Sequence, residues 1–438
     1  MQRERMTTAP QPDFRELFVT FGKVGLLSFG GPAAQIAMLQ RILVDEKRWM
    51  DQERLIHALN FCMLLPGPEA MQLATYAGWA VKGWRGGLLA GLLFVLPGAS
   101  VMLALSALYV AFGHVDIVAG LLFGLKAAVL AVVFEALYRM AKRTLASGFS
   151  YVIAIAAFVA IALLKLPFPI VVLLAALAGG LRHLLQGGGV ATAVTHAAPH
   201  AFREFSLQTL IWGGLWLGPL ISLYLIFGGQ HVFTAEAAFF SKLAAVTFGG
   251  AYAALSYTAQ QAVEHFGWMK PGEMLTGLGL AETTPGPLIL VLVFVGFVGA
   301  ANLSGLPPLV GGLVGGLIAL WFTFVPCFLW ILAGAPFVER LRQLRWLSAM
   351  LGGITAAVVG VIANLALWFS LHVLFAQVRE MPLGAFTLPT PVWSTIDNAA
   401  VLIAGAAALL LIVLRLNMPL VLLLAACLGI VIKLIEQA

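Results

Sequence analysis

Residues Phe21 to Gly31 read FGKVGLLSFGG, and residues Phe240 to Gly250 read FSKLAAVTFGG, 219 positions later. The same offset pairs Trp49-Met50 with Trp268-Met269 and Pro66-Gly67-Pro68 with Pro285-Gly286-Pro287. Three motifs in one register point to duplication rather than chance. The match resumes at an offset of 229, where Gly86-Gly87 meets Gly315-Gly316, Pro97 meets Pro326, and Gly124 to Ala128 (GLKAA) meets Gly353 to Ala357 (GITAA). The chain therefore reads as a duplicated unit with ten extra residues in the second copy. In an apolar protein, a duplication interrupted by paired Pro-Gly-Pro breaks is a common plan for secondary transporters.

Composition identifies the solvent. Hydrophobic residues make up 61% of the chain and charged residues 10%, with a mean hydropathy of +0.98. A soluble domain carries about a quarter charged residues, so this is a polytopic membrane protein. The first sixteen residues are polar and basic with no apolar run, and read as a cytoplasmic tail rather than a cleaved signal peptide. The net charge of +6 is explained by basic loops that orient helices, without invoking nucleic acid. Cys62, Cys327 and Cys427 lie in apolar stretches without CxxC or Cys/His spacing, so neither a metal site nor a disulfide framework is indicated.

Spans of about 20 residues fall at 17–39, 55–81, 87–112, 116–138, 149–165 and 168–185, six in the first copy. The second copy gives 236–262, 273–300, 309–334, 347–376, 398–415 and 417–435, and an extra apolar stretch from Leu207 to Phe227 lies between them. An odd linker helix after an even repeat turns the second copy upside down. The expected fold is an all-α polytopic membrane protein: two homologous six-span repeats in inverted topology, about 13 spans in all, with helices broken at Pro-Gly-Pro. The expected divisions are a tail (1–16), a first repeat (17–185), a linker with the extra helix (186–234) and a second repeat (235–438).

Loop charge agrees with inversion. The turn from Gly113 to Asp116 has no Lys or Arg while its counterpart carries Arg340, Arg342 and Arg345; conversely Arg139, Lys142 and Arg143 face Trp368, Leu371 and His372. With the amino terminus inside, one loop fits poorly: Arg41 to Arg54, where four basic residues balance four acidic ones. Parity also requires that the broken span of the first copy, 55–81, and its twin in the second, 273–300, behave alike.

Proline removes a backbone donor and clashes with the preceding turn, so the Pro66-Gly67-Pro68 and Pro285-Gly286-Pro287 breaks interrupt their helices. A helix restarting at membrane depth offers free N–H groups and a positive dipole end, which favour an anion. The bland alternative is a kink without function; duplication in register favours the functional reading. Lys23 and Lys242 each precede Ser28-Phe-Gly30-Gly31 or Thr247-Phe-Gly249-Gly250 by five residues. They either face a cavity or snorkel to the interface. Lys126 has Thr355 as its twin, so any role belongs to one half. Glu69 and Glu282 are coupling candidates or members of internal ion pairs. Gln72, Thr283 and Thr284, with Asn60 and Thr75, are neutral hydrogen-bonding groups around the breaks. No HExxH, GxSxG or phosphate-loop motif argues for an enzyme, and no cofactor is implied.

FGKVGLLSFGGP, DEKRWM and LLPGPEAMQLA, with TFGGA and TTPGP in the second half, resemble the chromate ion transporter (CHR) family over nearly the whole chain. The resemblance implies a two-domain bacterial inner-membrane protein that exports chromate without ATP hydrolysis and so confers chromate resistance. It carries over Lys23, Gly30, Gly31, Pro32, Trp49, Pro66, Gly67, Pro68, Glu69 and Gln72, and Lys242, Gly249, Gly250, Pro285, Gly286 and Pro287. Ala251 departs from Pro32, so the halves are not interchangeable. Chromate is a tetrahedral dianion, and lysines, hydroxyls and helix N-termini suit it. Sulfate has the same charge and shape, which leaves a sulfate or other oxyanion permease, or an anion channel, as alternatives. A complete repeat in one chain makes a monomer sufficient for a pathway and leaves a homodimer open.

Overall fold

The computed structural model describes residues 12–187, 199–248, 250–337, 344–383 and 386–437. Gly249, Arg340, Arg342 and the first eleven residues of the tail lie outside them.

The chain opens with half-length helices. α1 (Phe14–Leu27) ends at Ser28, and α2 (Gly31–Gln40) runs into a π-helical turn, Arg41–Glu46. α3 (Gln52–Cys62) ends at the first Pro-Gly-Pro, after which α4 (Glu69–Phe112) begins. The order recurs 219 residues on. α9 (Val232–Val246) is followed by α10 (Ala251–Ala259) with its π turn Gln260–His265, then by α11 (Pro271–Thr283), the second Pro-Gly-Pro, a short 3-10 turn Leu288–Leu290 and α12 (Val291–Leu303). Both π turns sit at matching positions, and so do the left-handed residues Arg48 and Gly267.

These half-helices correct the span assignments at 17–39, 55–81, 236–262 and 273–300. A helix of fourteen residues reaches about 21 Å, too short for the roughly 30 Å hydrocarbon layer. Two of them in line would cross it, but here each pair folds back. Lys47 Nζ is 2.8 Å from Glu16 Oε1, and the Trp49 and Phe21 rings are 6.2 Å apart, so the end of the α2 arm returns to the start of α1. Phe61 and Tyr76 have ring centroids 6.4 Å apart, whereas fifteen residues along one axis would separate them by about 22 Å. In the second copy Trp268 packs against Phe239 and Phe240, folding α10 back on α9, and its carbonyl accepts from Asn302 Nδ2 at 3.1 Å, placing the end of α12 beside the start of α11. All four pairs are hairpins that leave on the side they enter. Glycine provides the reversal: Gly30, Gly31 and Gly250 at the first tips and Gly67 and Gly286 at the second have positive φ.

The long helices fix which side that is. α4 doubles back at Lys82 and Gly83, which are non-helical, and residues 84–112 then run the full thickness. α13 (Pro308–Gly334) lies antiparallel to that arm, with Gly316 against Leu103 and Gly87 against Leu332. α1 packs on the early part of the arm: Pro97 leaves the Leu93 carbonyl without its helical donor, and Gly25, having no side chain, lets that carbonyl approach. Glu273 at the start of α11 accepts from Tyr109 at the other end of α4, at 3.2 Å. The hairpins of the first copy thus enter from the Lys82 end and those of the second from the Phe112 end.

The remaining helices interleave the copies. α5 (Asp116–Thr144), α6 (Gly148–Ala162) and α7 (Phe168–Leu185) are followed by α8 (Pro199–Phe227), and α14 (Arg345–Leu374), α15 (Asn398–Ala408) and α16 (Met418–Gln437) complete the chain. Gly124 of α5 packs on Ala425 of α16, and its twin Gly353 of α14 packs on Ala175 of α7. Such close backbone contacts are how helices associate where lipid removes the hydrophobic drive. Each copy's last helix is therefore held by the other copy. Between α14 and α15 a β-hairpin, β1 (Val378–Leu383) and β2 (Phe386–Pro391), has no counterpart in the short Leu145–Ser147 turn, and the apolar pattern at 347–376 gave no sign of it. Seven described helices are long and apolar enough to cross a membrane.

Candidate functional site

The hairpin tips meet tip to tip. Gly67 N–H donates to the Thr247 carbonyl at 2.9 Å, and Gly286 N–H donates to the Ser28 carbonyl at 2.8 Å. Each Pro-Gly-Pro of one copy is thus bonded to the helix end before Phe-Gly-Gly of the other. Gln35, buried in α2, adds a side-chain bond from Nε2 to the Gly286 carbonyl at 2.7 Å and reaches the Ser28 carbonyl at 3.3 Å. Gln72 Nε2 donates to the Pro66 carbonyl at 2.7 Å, while its Oε1 is buried without a partner.

Each tip rests in a notch on the other copy's long helix. A β-carbon on Gly67 would stand 2.8 Å from Cys327 Sγ of α13, and one on Gly98 of α4 would overlap the Pro285 carbonyl. Gly98 and Cys327 are twins at the 229 offset.

The hydroxyls of the motif are already engaged. Ser28 and Thr247 donate to the Val24 and Leu243 carbonyls, both at 2.6 Å, and Thr283 and Thr284 donate to the Leu280 carbonyl at 2.8 and 2.7 Å. A hydroxyl that gives its proton to the backbone offers an anion only lone pairs. The donors that remain are first-turn amides of the restarting helices, which have no i−4 carbonyl. None of the four starts, at Gly30, Pro68, Gly250 and Pro287, has a side-chain cap, and open space adjoins Gly31 and Gly250.

Charged groups surround this centre unevenly. Glu69 is the first residue of α4, where its carboxylate complements the dipole of that arm. Glu282 is buried and accepts from Tyr252 Oη at 2.6 Å. Their cationic neighbours on α5 are Arg143 and Arg139 respectively, and Arg139 is ion-paired with Glu135. Lys126 lies off the tips, with Nζ 3.5 Å from where a Gly272 β-carbon would stand. Its twin Thr355 lines a cleft of about 280 Å³ with His57, Asn60, Leu64 and Ser348 beside the first break. Lys23 and Lys242 are exposed, and Lys242 Nζ stands 5.9 Å above the Tyr257 ring. No His/Cys/Asp/Glu cluster that could hold a metal occurs among the described residues.

The family model described as "Chromate transporter" matches residues 15–181 and again 235–430. The chain belongs to the chromate transporter family. The Chromate transport protein of Pseudomonas aeruginosa is 35% identical over 81% of this chain and 80% of its own length. The Probable chromate transport protein of Synechococcus elongatus is 28% identical over 81% and 84%, and the Chromate transport protein of Cupriavidus metallidurans is 29% identical over 82% of each. No solved structure matches. Membership in the chromate transporter family makes this a membrane transporter and not an enzyme.

The two matched segments of the chromate transporter model cover the four hairpins except the first residues of α1 and α9, and the linker helix α8 lies between them. Within the family motif, Trp49 and Trp268 close the base of each copy's first hairpin, and the two Pro-Gly-Pro breaks form the tips of the second hairpins. Gln35, Tyr252 and Cys327 were not legible as site residues. Each has an unlike twin, Ala254, Ala33 and Gly98, so a search for recurrence passes over it.

Proposed function

We propose that this chain is a secondary active transporter that exports chromate across the bacterial inner membrane by alternating access, and so confers chromate resistance. The observation that carries the reading is the crossed pair of tip bonds, Gly67 to Thr247 and Gly286 to Ser28. In the bonded state both glycine amides are occupied. Parting the tips frees two N–H donors at the helix starts, where a tetrahedral dianion finds charge-assisted hydrogen bonds. Closed tips and a bound anion compete for the same amides, which is the relation a carrier needs between its gate and its site.

The inverted-repeat reading, with repeats at 17–185 and 235–438 and the linker at 186–234, is supported by hairpins entering from opposite ends. Four re-entrant hairpins preserve parity, since each returns to its own side and the odd helix α8 still inverts the second copy. They also place Arg41 to Arg54 on the side of the amino terminus, which removes the one loop at odds with a cytoplasmic start. Because α7 and α16 are each held by the opposite copy, the moving parts are the hairpins rather than whole halves. Lys23, Lys242, Gly30, Gly31 and Gly250 flank the pathway in this reading, and Glu69 and Glu282 couple it. Protonating Glu69 would leave the α4 helix end uncompensated and better able to hold a dianion.

Chromate uptake into inverted membrane vesicles, with and without a proton gradient and with excess sulfate, tests the proposal. Gradient-dependent accumulation resistant to sulfate is expected. Accumulation abolished by sulfate would make the protein a general oxyanion permease, and flux without accumulation an anion channel.

A further inference from the structure

Glu236, in the second turn of α9, is fully buried, and neither carboxyl oxygen has a hydrogen-bond partner. Its two oxygens fill a slot made by missing side chains. A β-carbon on Gly299 of α12 would stand 2.9 Å from Oε1, and one on Gly315 of α13 would stand 2.9 Å from Oε2. The Trp268 side chain closes the same slot, with its Cβ 3.1 Å from the Gly299 position. Around it, the titratable and charged side chains of the packed elements are Tyr224, Arg203 and Glu204 on α8, His231 and Lys242 on the α9 segment, Tyr252 and Tyr257 on α10, Glu264 and His265 on its π turn and Lys270 ahead of α11. His231 caps the Phe233 amide, and Lys270, Lys242 and Tyr224 are exposed. α12 contributes none and α13 only Cys327, which sits at the first Pro-Gly-Pro tip.

An ionised carboxylate without hydrogen bonds in such a place costs many kcal/mol, and the ordinary escape is to carry a proton. Packing does not require an acid here, because the first copy has Leu17 at the matching position, fully buried in the same way. The acid is also mechanically connected to the gate. Eleven residues along α9 from Glu236, about 16 Å of rigid helix, Thr247 accepts the Gly67 amide.

We propose that Glu236 is an occluded proton-binding site of the transport cycle. Protonated, the side chain lies in the glycine slot and holds α9, and with it the Thr247 tip, against α12 and α13. Releasing the proton leaves a carboxylate that must leave the slot for water, which withdraws α9 and parts the tips. The carboxylate takes one proton from one aqueous phase and returns one to the other, so protons are conserved in each turn. This inference rests on the secondary active reading above.

The test uses the full chain in proteoliposomes, with chromate as the transported probe and the membrane potential clamped at zero. A gradient of one pH unit sustains up to about tenfold accumulation per coupled proton. Wild type is expected to accumulate chromate. Glu236→Gln, which stays neutral and keeps α9 against α12 and α13, is expected to lose chromate–chromate exchange and net accumulation together, with its thermal stability unchanged or higher. Glu236→Leu, which copies Leu17, is expected to behave the same way and guards against an effect peculiar to the amide. The wild-type infrared spectrum should show a carboxylic-acid C=O band that Glu236→Gln removes. Accumulation or exchange that survives in both variants overturns the proposal alone, as does a loss of exchange that comes with a lower melting temperature. A wild type that exchanges chromate without responding to the gradient overturns the active-transport reading and this inference with it.

Discussion

Gly67 donates its amide to the Thr247 carbonyl across 2.9 Å, joining hairpins that enter the protein from opposite ends. The bond has a twin between Gly286 and Ser28. Neither pair is close in sequence, and each forms only because a glycine turns its amide outward at positive φ between two prolines that have no amide to offer.

Gly67→Ala tests that turn. At φ +119° an alanine is strained by about 1–3 kcal/mol, and its β-carbon would meet Cys327 Sγ at 2.8 Å and Gln72 Nε2 at 2.9 Å. Gly286→Ala meets only the flexible end of Leu290, at 3.0 Å. Chromate transport should fall at least tenfold in Gly67→Ala and less in Gly286→Ala, with melting temperatures in the same order. Equal transport by both variants would separate the gate from the backbone turn.

Gln35→Ala should destabilise the closed tips from one side only. The substitution removes the side-chain donor to the Gly286 and Ser28 carbonyls, leaving buried acceptors short of a partner at about 1–3 kcal/mol. Because Ala254 stands at the matching position, the opposite tip pair has no such brace to lose. Thermal unfolding in detergent should show the loss, whereas a silent substitution would mean that Gly286 holds its place through Ser28 alone.

The duplication was legible because glycine and proline fix backbone geometry in any context, so Pro66-Gly67-Pro68 and Pro285-Gly286-Pro287 recur both as strings and as turns. The hairpins were not. Hydropathy sees that 17–39 is apolar over the length of a span, but not that Gly30 and Gly31 reverse it, and the decisive contacts, Lys47 with Glu16 and Trp49 with Phe21, join residues that periodicity cannot relate. Recurrence found the symmetric part of the site and passed over what is not symmetric. Glu236 opposite Leu17 and Cys327 opposite Gly98 are the places where the copies have diverged.

Re-entry makes a labelling prediction that a spanning helix does not. Single cysteines at Arg15, before most of α1, and at Asp45 or Glu53, after the α2 arm, should react with an impermeant maleimide from one face of the membrane. Cysteines at Glu264 or Lys270 should share the opposite face with one at His114. If Asp45 and Arg15 reacted from opposite faces, α1 and α2 would cross in line and the Lys47–Glu16 pair could not form.

Cys327 offers a native probe of tip separation. Its thiol is buried, donates to the Thr323 carbonyl at 3.3 Å and blocks the space beside Gly67, while Cys427 is exposed. With Cys427 replaced by serine, a small maleimide should leave the resting protein unlabelled. During chromate turnover the first Pro-Gly-Pro must leave its notch on α13 if the tips part, and Cys327 should then react several-fold faster and block further transport. Labelling that chromate leaves unchanged would mean that the anion passes without separating Gly67 from Thr247, which places the pathway elsewhere than between the tips.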